Sequence, residues 1–159
     1  MFRVGQGWDV HRLTPGGPLR IGGIDVPWER SLLGHSDADV VLHAVTDALL
    51  GAVAAGDIGT HFPDSDPQHR GSDSATFLAH AVCLVRDAHG TIGNVDVTVL
   101  AERPKLAPYL GAIRRRLADL IGIAVSQVSV KAKTVEGLGV IGQGDAIAAM
   151  AVVSVTMAS

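Results

Sequence analysis

The sequence predicts a single α/β (α+β) domain, residues 1–159, in which helices pack on one face of a mixed β-sheet. Three observations carry this expectation. At 159 residues the chain has the size of one domain and can bury about 70 % of its unfolded surface. Hydrophobic residues make up 47 % and charged residues 18 % of it, the latter below the roughly 25 % usual in soluble domains, which excludes disorder. Strand-like and helix-like segments alternate along its length, with no repeat, linker or low-complexity tract.

Phe2 to Val10 reads as the first strand, and Leu19 to Pro27 as an extended piece broken by a turn at Gly22 and Gly23. Ser36 or Asp37 can cap a helix running through Ala55, and Ser72 or Asp73 a second ending before Gly90. Pro104 suits the first turn of a third, ending before Gly122. Strands are expected at Ile92 to Leu100, Val128 to Val135 and Ala146 to Met157. Ala146 to Val153 is apolar at nearly every position, so both faces of that strand should be buried, whereas three helices most simply cover one. Either another subunit covers the second face or the fold wraps its own sheet.

The net charge is −3 and the basic residues are scattered apart from Arg114, Arg115 and Arg116, so nucleic acid is not an expected partner. The longest apolar segment, Ala38 to Ala55, is interrupted by Asp39, His43 and Asp47, which argues against a membrane span. The first ten residues carry glycines and an acid in place of a leader's basic and apolar segments, and a cytoplasmic protein is expected. The single cysteine, Cys83, lies in an apolar run and is expected to be a buried small hydrophobe.

Polar residues in apolar surroundings mark a candidate site. Asp9 and His11 are two apart on a strand and share a face. Asp39, His43 and Asp47 recur every four residues and form a polar stripe on an otherwise apolar helix. Two histidines and a carboxylate drawn from a strand and a helix suit zinc with an open fourth position. Asp47 could orient a ligand from behind it. Hydrogen-bonded core histidines would show the same spacing. Gly56-Asp57-Ile58-Gly59 and His61-Phe62-Pro63-Asp64-Ser65-Asp66 form a glycine- and acid-rich connection that suits either a functional loop or a capped turn. Lys131, Lys133, Thr134 and Glu136 lead into Gly137, Gly139, Gly142 and Gly144, offering cations, a hydroxyl and amides to phosphates and a carboxylate to a hard cation, or simply a turn.

Gly7-Trp8-Asp9-Val10-His11, Gly34-His35-Ser36-Asp37-Ala38-Asp39, the run from His43 to Gly51, Gly56-Asp57-Ile58-Gly59 and Lys131-Ala132-Lys133-Thr134-Val135-Glu136 together resemble the 2-C-methyl-D-erythritol 2,4-cyclodiphosphate synthase family. The match runs in order over essentially the whole chain. The resemblance implies a phosphorus–oxygen lyase of the non-mevalonate isoprenoid pathway. Such an enzyme converts 4-diphosphocytidyl-2-C-methyl-D-erythritol 2-phosphate to the cyclic diphosphate and CMP, and it implies a homotrimer that buries the sheet's second face and places active sites between subunits. Carried onto matching positions, Asp9, His11 and His43 would bind zinc, and Glu136 magnesium or manganese. His35, Ser36, Asp57, Ile58, Gly59, Phe62 and Asp64 would lie around the methylerythritol phosphate. Ala101, Pro104, Lys105, Leu106 and Ala107 would line the cytidine pocket, with Ala132, Lys133 and Thr134 near its phosphates. A zinc hydrolase and a non-enzymatic binding oligomer are the alternatives, and neither needs both Glu136 and a cytidine pocket.

The chain departs from the family pattern at Gln143 and Met150, where many relatives carry an arginine and a glutamate lining an axial cavity that can hold an isoprenoid diphosphate. Glutamine lacks the guanidinium's charge and fork, so weak binding of such ligands and retained catalysis are expected.

Overall fold

A computed structural model describes residues 1–63 and 71–158. The chain forms one five-stranded mixed sheet in the order β4-β1-β7-β5-β6, with a small β2-β3 hairpin beside it. The strands are β1 (Phe2–Pro15), β2 (Leu19–Ile21), β3 (Ile24–Val26), β4 (Arg30–Leu33), β5 (Gly90–Leu100), β6 (Val128–Lys133) and β7 (Ala146–Met157). The helices are α1 (Val40–Ala52), α2 (Ile58–His61), α3 (Ser74–Asp87), α4 (Leu110–Ile121) and α5 (Gly139–Gly142). β7 runs antiparallel to both β1 and β5, and β6 parallel to β5. Consequently β1, β5 and β6 all end at the same edge of the sheet. Among the described residues, no helix is long and apolar enough to cross a membrane.

Alternate residues of β1 explain how α1 reaches the sheet. A methyl group on Gly5 would stand 1.8 Å from the Ala48 carbonyl oxygen, and one on Gly7 would stand 1.9 Å from that of Ala44. Glycine at both positions, with alanines opposite, lets helix backbone rest directly on strand backbone. Asp9 and His11 continue the same strand face, towards the start of the helix where His43 lies. Val95, Val97 and Val99 of β5 and Ile147, Ala149, Ala151 and Val153 of β7 complete the core beneath the helices.

Several expectations need correction. α1 is capped by Asp39 rather than Ser36 or Asp37: its carboxylate accepts from Val41 and Leu42 N–H at 3.1 Å each, while Ser36 and Asp37 are engaged in other hydrogen bonds. α3 takes Asp73 as its cap, as expected. Pro104 lies ahead of the third long helix, which opens with a 3₁₀ turn at Ala107–Tyr109 carrying its own proline, Pro108; the helix stops at Gly122, whose φ of 78° is left-handed. β1 runs on past Val10 to pair its last residues with β4, a four-residue edge strand too short to show a pattern. Cys83 is exposed, because the buried stripe of α3 runs through Phe77, Leu78, Ala81, Val82 and Val85 and misses it.

The expectation that β7 is covered on both faces holds for only part of the strand within one chain. Ala146 and Ala148 are buried, but beyond them the helix-free face is open. It carries Phe2 (67 % exposed), Val4 (58 %), Trp8 (54 %) and Val152 (44 %). These side chains lie on neighbouring strands in register, Gln6 opposite Val152 and Trp8 opposite Met150, so the patch is continuous.

Candidate active site

Asp9, His11 and His43 converge where the end of β1 passes beneath the start of α1, and one ligand atom from each lies within 4.8 Å of the others. Asp9 Oδ2 is 2.9 Å from His43 Nδ1 and 3.0 Å from His11 Nε2, and the two ring nitrogens are 3.2 Å apart. Each ring is held by its other nitrogen. His11 Nδ1–H donates to the Leu33 carbonyl at 3.0 Å, so the edge strand β4 orients this histidine. His43 Nε2 is 2.8 Å from Ser74 Oγ and 3.2 Å from Ser36 Oγ. Rings anchored by hydrogen bonds at one nitrogen, with the other turned to a carboxylate, form a donor set that fits zinc.

Electrostatics reinforce this arrangement. Burial pushes the Asp9 carboxyl up, but hydrogen bonds and charge from His11 and His43 outweigh it and hold the group well below the ordinary carboxylate range. Burial acts to lower His11, and its hydrogen bond to Asp9, the Asp9 charge and the Leu33 carbonyl together raise it above the ordinary imidazole value.

The polar stripe of α1 divides among three tasks. Asp39 is fully buried; besides capping α1, it accepts from Gly22 N–H at 2.8 Å and Gly23 N–H at 2.6 Å, tying the β2-β3 turn to the helix. Burial pushes its carboxyl up, against the four backbone N–H donors. His43 joins the triad. Asp47 accepts from Ile58 N–H at 2.8 Å and fixes the junction of α1 with α2; the group behind His43 is therefore Ser74, not Asp47.

The other predicted site residues fall into two groups. Near the triad, Ser36 touches His43, and His35 is exposed on the same loop. Asp57 caps α2 through Thr60, with Ile58 and Gly59 forming that helix's first turn. Phe62 stacks on Phe77 with ring centres 4.4 Å apart. Asp64 lies outside the described residues.

The second group gathers at the ends of β5 and β6. Ala101 N–H donates to the Lys133 carbonyl at 3.0 Å, joining the Ala101, Pro104, Lys105, Leu106 and Ala107 segment to Ala132, Lys133 and Thr134. Glu136 has a φ of 55° and accepts from the Thr134 hydroxyl at 2.7 Å. Two of the loop's amides are not free for phosphate. Val135 and Gly137 N–H donate to Glu102 Oε1 at 2.8 and 3.2 Å, and Lys131 is paired with Asp96. β7 lies between the triad strand β1 and β5, and both β7 and β5 lie between β1 and β6, the strand that leads to Glu136, a gap of about 14 Å at roughly 4.8 Å per strand. One chain does not bring Glu136 to the triad.

Ser74 and Glu102 were missed in the sequence because each works through one backbone or hydroxyl contact across a long sequence separation. No local spacing marks either.

Residues 2–156 match the family model described as the YgbB family. The chain belongs to the YgbB family. Within it, the chain is 56 % identical over 153 residues to the 2-C-methyl-D-erythritol 2,4-cyclodiphosphate synthase of Geobacillus kaustophilus, covering 96 % of this chain and 97 % of that one. It is 54 % identical over 152 residues to the synthase of the same name from Trichlorobacter lovleyi, covering 96 % and 97 %. Among solved structures, the IspF of Plasmodium falciparum in complex with CDP superposes with a TM-score of 0.87 at 36 % identity, covering 99 % of this chain and 97 % of the other. Family membership thus rests on both sequence and fold.

Proposed function

We propose that the chain is a 2-C-methyl-D-erythritol 2,4-cyclodiphosphate synthase, a lyase of isoprenoid biosynthesis. It would act on 4-diphosphocytidyl-2-C-methyl-D-erythritol 2-phosphate and release CMP. The observation that carries this is the 56 % identity to a synthase over 153 residues, a span that must include both the triad and the Glu136 loop.

The reaction closes a ring: the 2-phosphate oxygen attacks the β-phosphorus of the same molecule, and the bond to CMP breaks. Zinc at Asp9, His11 and His43, with magnesium or manganese at Glu136, would withdraw charge from the phosphates. The chain's own residues supply position. His35, Ser36 and the α2 turn of Asp57, Ile58 and Gly59, with Phe62 and Asp64, hold the methylerythritol phosphate. Ala101, Pro104, Lys105, Leu106 and Ala107 take the cytidine, and Ala132, Lys133 and Thr134 its phosphates. Holding both ends of one flexible substrate turns two distant groups into near neighbours, which is where most of the rate is gained.

The assembly is a homotrimer with each site shared between subunits. Two observations support it: the apolar patch of Phe2, Val4, Trp8 and Val152 on the helix-free face, and the two strands that lie in one chain between the triad strand β1 and β6, which leads to Glu136. Met150 lies on that same face opposite Trp8.

Incubation with the diphosphocytidyl substrate and magnesium or manganese, followed by phosphorus NMR, tests the function. Formation of the cyclic diphosphate with equimolar CMP is the expected result. A linear phosphate product would identify a zinc hydrolase instead.

A further inference from the structure

We infer that Ser74, Asp37 and Arg20 form a positioning relay that selects the metal-binding tautomer of His43. The inference rests on zinc binding at the triad and concerns residues that touch neither metal nor substrate.

His43 lies between competing acceptors. Its Nδ1 is 2.9 Å from Asp9 Oδ2, and a carboxylate at that distance attracts the ring proton to Nδ1. A neutral imidazole has only one N–H. With the proton on Nδ1, the lone pair needed by a metal ion is lost, so something must draw it to Nε2.

Ser74 stands at that position. It is fully buried as the first residue of α3, and its Oγ is 2.8 Å from His43 Nε2. A lone hydroxyl would be a weak competitor for a carboxylate, but Ser74 Oγ–H donates to Asp37 Oδ1. Its lone pairs are thereby left for Nε2–H and made more basic by the charge behind them. Asp37 is held in turn. Its carboxylate accepts from Ser74 N–H at 3.2 Å and from Asp39 N–H at 3.1 Å, and Arg20 Nε lies 3.9 Å from Oδ2. Arg20 also reaches Asp25 and Asp73, so the cation is anchored on both sides of the relay. Asp9 and Asp37 thus pull on opposite nitrogens of one ring, and once a cation neutralises Asp9 only the Asp37 side retains its pull.

The second hydroxyl near Nε2, Ser36, is farther away at 3.2 Å and also accepts from Ala38 N–H at 3.2 Å. It contributes less to the selection.

Zinc affinity, measured by competition with a chelator, and the His43 Nε2–H proton signal of the zinc-loaded protein test the relay without reference to turnover. Ser74→Ala should weaken zinc about 10- to 100-fold and abolish the exchange-protected Nε2–H signal. Asp37→Asn, which keeps an acceptor but loses its charge, should weaken zinc less and leave the signal present but faster to exchange. Restoring the hydroxyl with Ser74→Thr should recover part of both. Wild-type affinity and an unchanged proton signal in Ser74→Ala, or in Asp37→Asn if the alanine variant does not fold, would overturn the relay. Failure of the wild-type protein to bind zinc would instead overturn the assignment of the triad itself.

Discussion

At the scale of single residues, the triad depends on which atoms carry protons. Asp9→Asn replaces one ligand oxygen environment with an amide, and His43→Ala removes a ligand outright. Both variants should lose zinc, and turnover should fall by at least about 100-fold; metal analysis beside an activity assay checks this, and full zinc content in His43→Ala would contradict it. The charge coupling also sets a pH dependence. Because Asp9 raises the proton affinity of His11, a proton competes with the metal for Nε2 up to a pH above the ordinary imidazole value. In the metal-free chain, the His11 contribution to stability is complete below that ordinary value and is lost as pH rises through the raised one. Zinc affinity should move the opposite way, growing as pH rises through the same range, whereas Asp9, held well below the ordinary range, stays ionised throughout. Chelator competition across neutral pH measures it, and a flat profile would contradict the coupling. Asp9, His11 and His43 were legible in the sequence because two fixed periods, two along a strand and four along a helix, place them. Ser74 was not, since its contact with His43 depends on how α3 docks against α1.

At the scale of elements, α1 rests backbone against backbone on β1 at Gly5 and Gly7. Gly7→Ala would force a methyl group against the Ala44 carbonyl oxygen, and it should destabilise the protein by at least about 3 kcal/mol, read as a fall in the denaturant midpoint at unchanged slope. An exposed control such as Gly71→Ala meets no atom of the described residues but sits at a φ of 73°, so its smaller loss reports backbone strain. Asp39 joins two elements by four hydrogen bonds. Asp39→Ala removes a helix cap and leaves Gly22 and Gly23 N–H buried without their acceptor, an expected loss of about 3 kcal/mol or more. The elements themselves were mostly legible. Alternating apolar residues marked β5 and β6 and a nearly continuous apolar run marked β7, and Asp73 and Gly122 bounded helices as their chemistry requires. α1 was misread at its start because Ser36, Asp37 and Asp39 all have capping side chains, and tertiary contacts decide which one caps. β4 carries neither alternation nor length, yet it orients His11, so a functional role passed unseen in a strand defined wholly by its partner.

At the scale of the whole molecule, the helix-free face and the divided site point to the same assembly. A charge placed in the centre of the apolar patch, Trp8→Glu, should dissociate the proposed trimer and remove activity while leaving the monomer's helices intact by circular dichroism. A sedimenting monomer with full activity would contradict the shared site. Gln143 and Met150 bear on the same axis: calorimetry with geranyl diphosphate should show weak or no binding, and tight, salt-sensitive binding abolished at Gln143 would show otherwise. Burial on both faces of Ala146 to Val153 was expected from the sequence, and the open half of that face marks where a chain pattern alone implies a neighbour.

The most direct measurement mixes two inactive variants, His43→Ala, which lacks the triad, and Glu136→Gln, which lacks the second carboxylate. If each site takes its triad from one subunit and its Glu136 from the next, random mixed trimers from equal amounts regain about a quarter of wild-type sites. Recovery near that level, by phosphorus NMR of the cyclic product, is the predicted result. No recovery in demonstrably mixed trimers would contradict the shared site and place both halves in one chain.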